Sequence, residues 1–120
     1  MQTTITFKHQ GKDITLPLDK ATVISVDGTF KELEPKNGKT FTYSEIRDTI
    51  GNIIEPICLR YYTNKPELKK MNFIMDEEGV INGSDWNHLA SNLLKVTIGP
   101  NVVELFGTVI FLPNKMFRMY

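Results

Sequence analysis

The residues best suited to chemistry fall in four places. Residues 60–70 carry Arg60, Lys65, Lys69 and Lys70 with Tyr61 and Tyr62 between them and Glu67 as the lone acid. Basic groups interleaved with aromatics suit single-stranded nucleic acid or a nucleotide, the cations meeting phosphates and the rings stacking on bases. Arg60, Tyr62, Lys65, Lys69 and Lys70 are therefore the candidate ligand-binding residues, weighed against a plain polar turn between two strands. Asp76, Glu77 and Glu78, with Asn82 and Asp85 beyond, gather hard oxygens, but DEEGVINGSD lacks the alternating acids and closing glutamate of a calcium loop. A solvated turn with Gly79 at positive φ is the expectation there, and no metal site is assigned.

His9 and His88 are the two histidines and Cys58 the one cysteine. Nothing in their sequence positions fixes them near one another, and Cys58 reads as a half-buried thiol. No catalytic constellation and no cofactor follow; none of the eight glycines falls in a phosphate-cradling pattern. The tail residues Met116, Phe117 and Tyr120 are too apolar to be simply solvated. They are candidates for a protein interface, a homodimer included, or for covering the sheet or the first helix.

With 120 residues and 41% of them hydrophobic, the chain matches one domain able to bury a core without staples. Fourteen basic residues balance fourteen acidic ones, so no global field draws the protein to nucleic acid or membrane, and charge-driven binding must be local. One cysteine cannot form an internal disulfide. The N-terminal stretch lacks a secretory leader, and no run approaches the ~18 apolar residues of a membrane span. A cytoplasmic protein without membrane contact is expected.

The elements that must position these groups read in order. Ile5 and Phe7, then Ile14, Leu16 and Leu18, alternate around Gln10-Gly11, which means a hairpin with Thr4, Thr6, Lys8 and Thr15 toward water. Residues 21–26 form a third strand stopped by Asp27-Gly28, with residues 29–33 returning. Residues 34–39 are an exposed loop. Tyr43, Ile46 and Ile50 space a short helix over 43–51, capped by Thr42 or Ser44. Residues 53–62 and 71–75 are read as the antiparallel strands at the sheet's centre. Ser84 is the expected cap of a second helix over 84–95, with Trp86, Leu89, Ala90, Leu93 and Leu94 as its apolar stripe. Residues 102–112 form the longest strand, interrupted by Gly107. The architecture is α+β, a mostly antiparallel sheet of five to seven strands with both helices on one face.

The segment FIMDEEGVINGSDWNHLASNLL, followed by ELFGTVIFL, resembles a family of small phage and mobile-element proteins catalogued as a domain of unknown function, number 3846. The resemblance covers residues 40–112 and leaves the hairpin region 1–35 and the tail 113–120 outside. It rests on the helix over residues 42–50, the acidic turn 76–79, Asn87, Ala90 and Gly107, and departs from the pattern at residues 80–86 and at Phe106. It implies only the setting of a phage or mobile-element accessory gene; together with the missing catalytic constellation, the leading expectation is a non-enzymatic protein that binds a host macromolecule or small nucleotide, counter-defence being one such role. The alternatives are a nucleic-acid-binding module built on residues 60–70 and a small hydrolase or transferase with an unrecognised site.

Overall fold

The computed structural model describes residues 3–117. Among the described residues, seven strands form a two-stranded hairpin and a five-stranded antiparallel sheet, and with two α-helices they make an α+β fold. The hairpin pairs β1 (Thr4–His9) with β2 (Lys12–Pro17) through a tight turn in which Gln10 and Gly11 both have positive φ. That conformation matches the right-handed twist of the strands it joins. Ile5, Phe7 and Leu16 point inward, while the Thr6 and Thr15 hydroxyls meet at 2.9 Å on the wet face.

The main sheet has the order β4-β3-β7-β6-β5, from β3 (Ala21–Ile24), β4 (Phe30–Leu33), β5 (Ile54–Cys58), β6 (Met71–Asp76) and β7 (Val109–Pro113). β7 is central, whereas β5 is an edge strand and not part of the centre. Pro56 lies inside β5, and an edge strand tolerates the missing N–H donor. Pairing stops at Cys58 opposite Asn72. The chain then coils into a 3-10 turn, Leu59–Tyr61, that buries Leu59 completely, so the strand expected to reach residue 62 ends four residues earlier.

The helices lie on opposite faces of the sheet rather than sharing one. Helix α1 (Tyr43–Ile50) places Ile46 and Ile50 against Ile54, Ile74, Ile110 and Leu112. Helix α2 (His88–Ile98) places Leu89, Ala90, Leu93 and Leu94 against Phe73, Phe111 and Val109, joined there by the hairpin's Ile5, Phe7 and Leu16. Successive residues of β6 and β7 therefore enter different clusters, and Phe73 packs on Phe111 at 5.0 Å between ring centroids. A strand covered on both faces needs no polar alternation, which is why MNFIM and VIFL are continuously apolar.

Thr42 caps α1 in a reciprocal box: its hydroxyl accepts from Glu45 N–H at 3.2 Å and its own N–H donates to Glu45 Oε1 at 2.9 Å. Gly51 ends the helix in the left-handed conformation. Helix α2 begins at His88, not at Ser84, because residues 85–87 are held extended by a second segment. Asn87 N–H donates to the Leu105 carbonyl and Gly107 N–H to the Asp85 carbonyl, both at 2.8 Å, bracketing a Trp86–Phe106 bridge. Trp86 thus leaves the helical stripe and is 42% exposed. The same bridge removes residues 102–108 from the last strand, and Gly107 turns the backbone there with φ 77°. Gly79 does not have positive φ; its missing side chain leaves room for Phe106, whose carbonyl oxygen would lie 3.2 Å from a Cβ.

Candidate functional sites

Asn87 is fully buried and joins three elements. Its Oδ1 accepts from Ala90 N–H at 3.0 Å, as a helix cap should, while Nδ2 donates to the carbonyls of Ile24 at 3.0 Å and Gly107 at 2.8 Å. The start of α2 is thereby fixed where β3 ends and β7 approaches. The other end of α2 is held by the turn after β5: the Thr63 hydroxyl donates to Thr97 O at 2.7 Å and Lys65 Nζ to Val96 O at 3.1 Å. Two candidate sites lie at these two ends.

At the far end of α2, the chain leaving β5, the chain entering β6 and the chain leaving β7 emerge together, since Cys58 faces Asn72 and Met71 faces Pro113. Arg60, Lys69 and Lys70 are exposed there, and Lys115 joins them, its turn anchored by a 2.7 Å bond from Asn114 N–H to Lys70 O. Tyr61 and Tyr62 are 68% and 62% exposed. Arg60 donates to the Tyr61 hydroxyl at 2.6 Å and lies over its ring at 4.8 Å. The hydrogen bond to Tyr61 pushes the guanidinium pKa up, so Arg60 stays charged. Among the described residues no carboxylate forms an ion pair with Arg60, Lys65, Lys69, Lys70 or Lys115. Of the residues singled out in sequence, Arg60, Tyr62, Lys69 and Lys70 share this shelf. Lys65 is exposed but its ammonium is engaged by a helix-end carbonyl, that of Val96. Lys115 is an addition that strand pairing alone reveals.

At the near end of α2 the two histidines come together, contrary to their separation in sequence. They line a cleft of about 330 Å³ between the tip of the β1–β2 hairpin, the Asp27-Gly28 turn and the first residue of α2. His9, Gln10 and Lys12 come from the hairpin, Val26 and Asp27 from the turn, and His88 from the helix, with Ile14 adding apolar wall. Asn92 Nδ2 donates to Lys8 O at 2.8 Å and lies 3.2 Å from His9 Nδ1. The carbonyl fixes the amide's orientation, so Nδ1 accepts and the neutral His9 ring carries its hydrogen on Nε2. Burial, then the field of His88, hold the His9 pKa below its usual value. The His88 ring stacks on Trp86 at 3.7 Å between centroids, and the indole N–H is held by Glu104 at 3.0 Å and Ser91 at 3.2 Å. Asp27 is engaged locally: Thr29 donates to its Oδ1 from the hydroxyl at 2.6 Å and from N–H at 3.0 Å, which lowers its pKa.

Phe117 is 6% exposed and, with Met116 against it, packs into the cluster under α1, while Phe41 N–H donates to Met116 O at 2.7 Å. These two tail residues complete the core on that face, so Phe117 is not available to a partner; Tyr120 lies outside the described residues. Cys58 is half-buried at the end of β5. Among the described residues no group of three or more His, Cys, Asp or Glu side chains could hold a metal ion, and no helix is long and apolar enough to cross a membrane. No family model matches the chain, and neither a curated protein nor a solved structure matches it significantly.

Proposed function

We propose that this chain is a non-enzymatic, cytoplasmic accessory protein that binds a single strand of nucleic acid across the tyrosine and lysine shelf. The observation that carries this reading is the pair Tyr61 and Tyr62, both about two-thirds exposed, set among Arg60, Lys69, Lys70 and Lys115. Large aromatic side chains on open surface carry a hydrophobic cost unless something stacks on them, and bases offer a π-face of any sequence. Unpaired cations beside them supply phosphate contacts in a chain whose net charge is zero. The phage or mobile-element setting rests on the resemblance of residues 40–112 alone, and counter-defence would be one use of such binding.

The hydrolase or transferase alternative would have to use the two-histidine cleft. His9 offers that cleft an N–H rather than a basic lone pair, which favours binding over general-base chemistry there. Anisotropy titration of labelled single-stranded and duplex oligonucleotides at low salt tests the proposal. Saturable binding that prefers the single strand is expected. Absent binding, or binding indifferent to strandedness, would reject it.

A further inference from the structure

We propose that the cleft between the two hairpin tips is a second ligand site, which takes a phosphate group, either free or as a monoester. Its donors come from the β1–β2 hairpin and from α2, and no ion pair among the described residues occupies them. His9 presents Nε2–H because Asn92 holds its other nitrogen as an acceptor. Lys12 brings an ammonium that no carboxylate among the described residues pairs with, its neighbour Lys8 taking Asp13 at 3.0 Å. Gln10 adds an amide, and His88 brings a second imidazole whose ring plane is set by Trp86. His88 is also the first residue of the eleven-residue α2, which places the positive end of the helix dipole beside the cleft.

The one carboxylate in the wall is Asp27, whose Oδ1 already accepts two hydrogen bonds from Thr29. An anion with several acceptor oxygens fits this donor set; a metal ion fits less well, because His9 Nε2 carries hydrogen and among the described residues no group of three or more His, Cys, Asp or Glu could hold one. The volume of about 330 Å³ and the apolar Ile14 and Val26 leave room for a small organic body behind the phosphate. The cleft and the shelf lie at opposite ends of α2, so this site stands independently of the nucleic-acid reading.

The probe is inorganic phosphate, titrated into the full chain at neutral pH and read by NMR at the imidazole nitrogens. Saturable shifts are expected at both His9 and His88, with His9 keeping its Nε2–H form. Lys12→Gln should weaken the response about tenfold, since it removes one charged donor. Lys39→Gln, in the exposed loop far from the cleft, should leave it unchanged. Shifts that do not saturate, or that survive Lys12→Gln undiminished, would overturn the proposal. A 5′-phosphorylated oligonucleotide, its 5′-hydroxyl counterpart and a nucleoside monophosphate then separate the sources. Imidazole shifts that need the strand's 5′-phosphate and are tighter than with inorganic phosphate mark a strand end. Equal affinity for inorganic phosphate, the monophosphate and the phosphorylated strand marks a free phosphate. Lys69→Gln and Lys70→Gln separate the two sites: loss of oligonucleotide affinity with the phosphate response retained would leave the cleft standing.

Discussion

Asn92 Nδ2 lies 3.2 Å from His9 Nδ1 while donating to the carbonyl of Lys8 at 2.8 Å, so one amide sets the tautomer of the ring. A second hydrogen on His9 would point at a donor. Burial, then the field of His88, hold the His9 pKa below its usual value.

The pH dependence follows with a definite sign. A histidine whose folded pKa is depressed binds fewer protons when folded than when unfolded. Its contribution to stability is therefore complete above the unfolded value of about 6.5 and is lost as pH falls from there through the folded pKa. Thermal melts at pH 7.5 and 5.5 should show a smaller drop in His9→Gln than in the native sequence. Asn92→Asp reverses the sign: a carboxylate beside Nδ1 raises the His9 pKa, and the variant should lose less stability than the native chain on acidification. Equal drops in all three proteins would contradict a depressed His9 pKa in the folded chain.

Removing Asn87 should destabilise the fold by about 2–4 kcal/mol in Asn87→Ala, combining a lost helix cap with two buried carbonyls left unsatisfied. Urea unfolding checks the figure, and a change below about 0.5 kcal/mol, the size of an ordinary surface substitution, would mean the three bonds are dispensable.

This residue also marks where the sequence was legible and where it was not. Local signals were sufficient for the hairpin, whose Gln10-Gly11 turn and alternating apolar residues all point one way, and for α1, where Thr42, Glu45 and Gly51 cap both ends. They failed at residues 84–88, where Ser84 and Asn87 are both competent caps. The choice is made by hydrogen bonds that Asn87 donates to the carbonyls of Leu105 and Gly107 and that Gly107 N–H donates to Asp85, about twenty positions away. The opposed helices were signalled by the unbroken apolar runs of β6 and β7, whose lack of alternation requires two covered faces. The shelf was legible because it is local, whereas the two-histidine cleft depends on hairpin tips that tertiary packing alone brings beside α2.

The Thr22 hydroxyl is buried in β3 with no hydrogen-bond partner, its residue 2% exposed. Thr22→Val keeps the shape and removes the unsatisfied group, so it should stabilise the chain by about 1 kcal/mol in chemical denaturation. Destabilisation would show that the hydroxyl is satisfied in solution. By contrast, Phe73→Ala opens the junction of β6, β7 and α2 and should cost about 3–5 kcal/mol, enough to remove a cooperative transition in a marginally stable domain.

Stacking on the shelf is separable from charge. Tyr62→Ala should weaken single-strand binding by about 1–3 kcal/mol while leaving its dependence on salt unchanged, because a ring contributes no counterion release. Competition titrations at two salt concentrations would measure both quantities, and a change in slope without a change in affinity would assign Tyr62 no stacking role.

The most direct measurement is the salt dependence of single-strand affinity for the native chain and for Lys69→Gln/Lys70→Gln. If the two lysines meet phosphates, the double variant binds more weakly and the slope of log K against log salt falls by about 1.4 for two lost contacts. An unchanged affinity and slope in the double variant would contradict the assignment of this end of the sheet as the binding surface.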